Sequence, residues 1–359
     1  MTLEKLGGSQ YFLNRVERIL VLKSIMQSNR VTDAFERKVA NVFDTFISKN
    51  EPMIIASSGG PDSTALLIAT AKVRKQGSVI AANFNHRLRP HDETEADSAF
   101  VLGLSNDLGC RFLSGMSKSF DKNDELSART ARYEWLEQIC MNEGIRICSV
   151  GHNEDDQAET VLFRLTRGTG LNGMSGMKEF SDWPLGASEA SHLKLIRPML
   201  NISRLQIDEY LAALRVVARF DQTNELNQYA RNRVRNVIFP ELEQINANTK
   251  HHFADFARKA AIDENALNEW SGGIYLQLAV VEQNEISFPR KLLSSYPQAI
   301  WQRVLLQAAE ELLISFTDIQ LSKSANGLNR SGFRLILQDG FLVSNEYEVK
   351  LVKNNDKNI

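Results

Sequence analysis

A chain of 359 residues is long for one hydrophobic core and comfortable for two domains. With 43% hydrophobic and 24% charged residues it has an ordinary globular composition, and a net charge of −2 gives no overall basic character of the kind that marks many nucleic-acid binders. Cys110, Cys140 and Cys148 form no C-x-x-C pair and no ligand spacing with histidine, which argues against a disulfide framework or a structural zinc site and for a reducing cytoplasm.

No apolar run is long enough to span a bilayer, so no membrane partner is expected. The N-terminus lacks the pattern of a secretory signal. Residues 1–50 read as a helical extension. Within it Tyr11–Arg30 is mildly basic and amphipathic, an added surface helix rather than an organelle signal because Glu17 interrupts it. From Met53 onward short apolar runs alternate with helical periodicity. Strands are expected at Met53–Ala56, Ser78–Phe84, Cys110–Ser114 and Ile145–Val150, with helices at Asp62–Lys75, Glu93–Leu108, Leu126–Met141 and Glu154–Leu165. Such alternation predicts an α/β domain, a Rossmann-like parallel sheet flanked by helices, over 51–242. Ligands in these sheets sit at the carboxyl ends of strands where strand order reverses. Gly168–His192 reads as a long loop, then a strand at Leu193–Arg197 and a helix at Ser203–Leu214. Residues 243–359 form a smaller α+β domain, with helices at Phe253–Gln283 and Pro297–Ile314 and a hairpin around Asp339-Gly340.

Ser57-Ser58-Gly59-Gly60-Pro61-Asp62-Ser63-Thr64 joins the first strand to the first helix. Paired glycines let backbone amides approach an anion, the helix N-terminus favours negative charge, and Ser58, Ser63 and Thr64 add hydroxyl donors. Pro61 suits the helix entry. No Gly-Lys-Ser/Thr follows, so this is not a Walker A loop. Between Ile196 and Pro240 the charges are mostly Arg197, Arg204, Arg215, Arg219, Arg231, Arg233 and Arg235, without a lysine. Clustered arginine suits phosphate or carboxylate recognition. It suits ion pairing with Asp208, Glu209 and Asp221 equally well, and the sequence leaves both readings open.

The S-G-G-x-D-S loop resembles that of the PP-loop N-type ATP pyrophosphatases. Asn85-His86-Arg87-Leu88-Arg89-Pro90, Ala128-Arg129-Thr130-Ala131-Arg132-Tyr133, His152 to Thr160, Ile196 to Leu200 and Arg231 to Arg235 follow it in order. Together they are similar to the tRNA(Ile)-lysidine synthetase family over roughly Glu51 to Leu242. One departure is Asn85, where the family usually has an aspartate before the histidine. The resemblance implies ATP and Mg²⁺ as cofactors, and L-lysine and tRNA(Ile) with a CAU anticodon as partners, and it leaves room for a homodimer. It implies ATP binding by Ser58, Gly59, Gly60, Pro61, Asp62, Ser63 and His86, and metal binding by Asp62 and Asp156. Asp62, Arg132, Asp156 and Glu159 become the expected catalytic residues. Asp156 and Glu159, three apart, share a helix face where two carboxylates can bind an ammonium or take its proton. The rival readings are another PP-loop tRNA-modifying enzyme and a non-catalytic nucleotide- or tRNA-binding module. The cytidine thiolases among those enzymes carry C-x-x-C pairs, which this chain lacks.

Overall fold

In β1 (Met53–Ala56), Met53 and Ile55 pack into one apolar cluster and Ile54 into another; in β2 (Val79–Asn85), Val79 and Ala81 join the first and Ile80 and Ala82 the second. A strand dry on both faces must lie between two helical layers. The structure, a computed structural model, describes residues 28–87, 91–117, 125–185, 192–219 and 230–354. The surface helix expected over Tyr11–Arg30 lies outside them except for its last three residues.

The chain divides into two units, Met1–Arg258 and Lys259–Ile359. The first holds a six-stranded sheet in the order β3-β2-β1-β4-β6-β5, where β3 is Arg111–Met116, β4 Ile147–Ser149, β5 Phe180–Asp182 and β6 Lys194–Ile196. All neighbours run parallel except β5, which is antiparallel to β6. The chain moves outward from β1 to β3, then returns to β4 on the other side of β1. Strand order therefore reverses between β1 and β4, the place where such sheets bind ligands.

Helix α1 (Arg30–Phe46) opens with a capping box between Asn29 and Thr32 and buries Phe35, Val39 and Phe43 in the first cluster. Phe35 stacks on Tyr210 at 4.1 Å between ring centroids. This helix is part of the domain core, whereas the sequence reading placed it in an extension. Helices α2 (Pro61–Val73), α3 (His91–Asp107), α4 (Glu125–Glu143) and α5 (Glu154–Thr166) follow the sheet strands as expected.

The long loop expected at Gly168–His192 is corrected in its described part. It contains the single-turn α6 (Leu171–Met174) and the edge strand β5. The Gln157 amide brackets the Met177 backbone in both directions, at 3.0 and 2.8 Å, and Arg164 donates to the Gly173 and Gly176 carbonyls at 3.0 and 2.8 Å. These bonds tie the segment to α5, and Arg164 is engaged in holding it. Beyond β6 come α7 (Arg204–Ala213), α8 (Ala230–Arg233), a π-helical turn at Val234–Ile238, α9 (Phe239–Ile245) and the long α10 (Thr249–Leu278). The wide turn lies just before Pro240, which has no amide to extend an α ladder.

The second unit is α+β, as its sequence suggests. An antiparallel sheet in the order β7-β8-β11-β10-β9 comprises Val280–Val281, Glu285–Pro289, Glu348–Lys353, Gly340–Ser344 and Arg334–Leu337 respectively. The expected hairpin is β9–β10, turning at Asp339 with φ 63°. Helices α11 (Arg290–Ser294), α12 (Gln298–Leu312) and α13 (Asp318–Asn329) accompany the sheet; Ile300 and Val304 of α12 share a core with Phe288, Leu342 and Leu351.

Candidate active site

The loop after β1 is braced from within. Asn83 Nδ2 donates to the Ser57 carbonyl at 2.8 Å, Ser58 N donates to Ser63 Oγ at 3.1 Å, and Thr64 Oγ1 donates to the Gly59 carbonyl at 3.1 Å. Gly59 sits at φ +89°, a conformation glycine adopts without strain. The first helical bond of α2 is Thr64 N to the Gly60 carbonyl, so the amides of Asp62 and Ser63 precede the ladder. No side chain caps this helix. A braced turn that leaves the Asp62 and Ser63 amides ahead of the helical ladder is suited to an anion. The loop after β4 closes the other side. A Cβ on Gly151 would meet the Asp62 carbonyl carbon at 3.0 Å and Ser63 N at 3.1 Å. Gly151→Ala is therefore expected to displace the start of α2 at a cost of about 1–3 kcal/mol, read as a drop of several degrees in a thermal melt.

Between these loops lies a cleft of about 460 Å³. Ser58, Gly60, Pro61, Asp62, Ser63, His86, Arg132 and Asp156 all line it. Gly59 lies beneath, its carbonyl also taking Arg219 N at 3.0 Å. Arg132 has a buried Nε without a hydrogen-bond partner among the described residues. Asn153 links the two carboxylates: its Nδ2 donates to Asp62 Oδ1 at 3.0 Å and its backbone N to Asp156 Oδ2 at 3.1 Å. Burial, reinforced by the nearby Asp156 charge, pushes the Asp62 pKa up to about 6 despite the opposing field of Arg204, 3.6 Å away. Two neighbouring carboxylates lining one cleft fit a hard divalent cation, which takes one or two protein oxygens and fills its shell with phosphates and water. Among the described residues no cluster of three ligating side chains competes for that role.

Glu159 stands apart from the cleft lining. It is 1% exposed and grips two arginines: Arg235 Nε at 2.5 Å and NH2 at 3.0 Å, and Arg231 Nε at 3.2 Å. The same arginines reach Asp156 Oδ1 at 3.0 and 3.4 Å. Arg231 and Arg235 are thus site residues whose partners the sequence did not identify. Arg204 pairs with Asp208 and approaches Asp62, while Arg219 pairs with Asp97 at 2.8 Å on the cleft wall. Asn85, in place of the family's aspartate, accepts from Arg87 N at 2.8 Å, a turn-forming role that needs no charge.

A phosphate-type loop at the reversal point of a parallel sheet, faced by two carboxylates, defines an α/β protein that handles a phosphate-bearing ligand. Residues 31–242 match the PP-loop domain, and the chain belongs to that family. It is similar to curated proteins named tRNA(Ile)-lysidine synthase: 32% identical over 251 residues to that of Bacillus cereus (66% of this chain, 50% of that one), and 35% over 209 residues to that of Chlorobaculum tepidum (55% and 59%). The one from Wolbachia pipientis wMel is 36% identical over 204 residues (55% and 45%). The chain spans about half the length of the curated relatives it matches. Among solved structures, a U34-tRNA thiolase from Methanococcus maripaludis superposes with a TM-score of 0.51 at 15% identity, over 64% of this chain and 80% of that one. That likeness concerns the fold alone.

Proposed function

We propose that the chain is a tRNA(Ile)-lysidine synthetase, which joins L-lysine to C2 of the wobble cytidine in an isoleucine tRNA with a CAU anticodon. ATP is converted to AMP and pyrophosphate through an adenylated tRNA. The observation that carries this reading is the placement of Asp62 and Asp156 together beside the Ser57–Ser63 loop. The names of the relatives support it.

The loop amides and the hydroxyls of Ser58 and Ser63 hold the pyrophosphate portion of ATP. Asp62 and Asp156 hold Mg²⁺, which neutralises phosphate charge when bound. The cytosine C2 oxygen bonds the α-phosphorus, and the bond to pyrophosphate breaks with its electron pair. The lysine ε-amine, an ammonium in water, must lose a proton before it attacks C2 and AMP departs. Asp156, which lines the cleft, provides the negative charge that attracts the ammonium and accepts its proton; Glu159, expected from the sequence to share that task, lies off the cleft and instead fixes Arg231 and Arg235 beside Asp156. Arg132, with its buried Nε, orients a substrate carboxylate or phosphate by paired donors. Residues 51–242 make the catalytic part, and the C-terminal α+β unit contributes contacts to tRNA.

The test combines the protein with ATP, Mg²⁺, lysine and an isoleucine tRNA bearing CAU. A lysine-sized mass gain on the wobble nucleoside, lost when that cytidine becomes uridine, is the expected result. Release of ADP and orthophosphate, or ATP held intact, would overturn the assignment; intact ATP would favour a nucleotide-binding module.

A further inference from the structure

His152 lines the cleft between Gly151 and the start of α5. Its Nδ1 faces Arg197, whose Nε lies 3.3 Å away. A guanidinium has only donors, so Nδ1 accepts and the ring proton sits on Nε2. Arg197 is fixed in turn: it is 7% exposed and its NH1 donates to the Lys178 carbonyl at 2.8 Å and to Ser181 Oγ at 3.0 Å. With Nδ1 turned to Arg197, the edge left for the cleft carries Nε2–H.

Charge imposes the same state. Burial first, then Arg197, Arg129, Arg231 and Arg132, hold the imidazole well below its ordinary pKa. These cations come from the end of β6, from α4 and from α8. Of the carboxylates on the same cleft, Asp62 and Asp156 are each engaged by Asn153 and by arginine, and Asp97 is paired with Arg219. A ring that cannot take a second proton, with its acceptor nitrogen occupied, is unsuited to acid or base chemistry. It is suited to give a fixed hydrogen bond to an oxygen on which charge builds.

We propose that His152, held by Arg197, donates its Nε2–H to a phosphoryl oxygen of the nucleotide during activation and keeps its proton throughout. The proposal rests on the functional reading above. The C2 oxygen forms a bond to phosphorus, pyrophosphate leaves with the electron pair, and no proton moves from His152. Arg197 is a positioning residue: it acts through the imidazole.

Two measurements test this. In ¹⁵N NMR of histidine-labelled protein, one ring, identified by its loss in His152→Gln, should remain the neutral Nε2–H tautomer between about pH 5.5 and 8. In Arg197→Gln that ring should begin to titrate. In AMP formation, His152→Ala should lower kcat roughly 100-fold with little change in KM for ATP, and His152→Gln, whose amide reaches the Nε2 position, should recover about ten-fold of that loss. Should His152→Ala lose its fold by circular dichroism, His152→Asn, with its amide at the Nδ1 position, takes its place. An Nδ1–H tautomer, titration near the ordinary histidine range in the wild type, or equal losses in both variants would overturn the proposal. A wild type that forms no AMP would sink the functional reading instead, and the NMR result would still decide the hydrogen-bond arrangement.

Discussion

Asp62→Asn should stop AMP formation and, in the same protein, raise the melting temperature. On the proposed reading the activity loss follows from the charge: asparagine keeps one oxygen but not the negative charge that would help hold a cation beside the phosphates. Each 1.36 kcal/mol of lost transition-state stabilisation is ten-fold, so a loss of roughly 1000-fold or more is expected. The stability gain follows from the sign of the pKa shift. Burial, and then Asp156, raise Asp62 from 3.8 to about 6. The folded chain therefore holds a proton that the unfolded chain releases between these values, and stability falls as pH rises through that window. Above about pH 6 the whole penalty stands. Two units correspond to about 3 kcal/mol, but the side chain is 31% exposed and solvent screens it, so about 1 kcal/mol is the better expectation. The asparagine variant should melt higher than the wild type near pH 7.5, with the difference gone below about pH 4. Added Mg²⁺ should raise the melting temperature of the wild type more than that of the variant. Equal Mg²⁺ shifts in both would remove Asp62 from the cation site.

What could be read from the sequence, and what could not, divides along the range of the interactions. Met53–Ile55 and Val79–Ala82 are buried on both faces, so their continuous apolar character shows without a partner in view. The Ser57–Thr64 loop is recognisable because every group that shapes it lies within a few residues. Strand β5 gave no such sign: Phe180 and Ser181 are half-buried and Asp182 exposed, paired at the sheet edge by β6. By contrast, α13 and β8 carry local signs that the sequence reading passed over: a Thr317–Gln320 capping box, and the alternation of Glu285, Ile286, Ser287 and Phe288. The arginines between Ile196 and Pro240 prove to have mixed partners. Arg204 found Asp208 four residues on, as helix spacing allows, but Arg231 and Arg235 found Asp156 and Glu159 more than seventy residues earlier. Clustered arginine fits a phosphate ligand, a nearby acid and a distant carboxylate alike, so its partners stay open until the chain folds.

That distant pairing sets the second large effect, on stability. Arg235→Ala should destabilise the first unit by about 2–3 kcal/mol, a fall of roughly 5–10 °C in melting temperature. Breaking a buried pair commonly costs about 3–5 kcal/mol, because the remaining charge is left without a counterion. Here Glu159 is the one left, at 1% exposure. Arg231 keeps a longer bond to it, and Arg235 is 40% exposed, so water can enter the space; both reduce the cost. Burial works against the Arg235 charge, yet its bonds to Glu159 and the fields of Glu159 and Asp156 hold its pKa above the ordinary value. Glu159→Gln removes the stranded charge. The double variant Arg235→Ala with Glu159→Gln should therefore be less destabilised than the two single changes summed, by about 1–2 kcal/mol. Strict additivity would mean that the ion pair contributes nothing beyond packing. On the proposed reading Arg235→Ala should raise the KM for lysine more than that for ATP, because Arg235 orients Asp156 on the cleft, whereas the phosphate loop is braced by its own bonds.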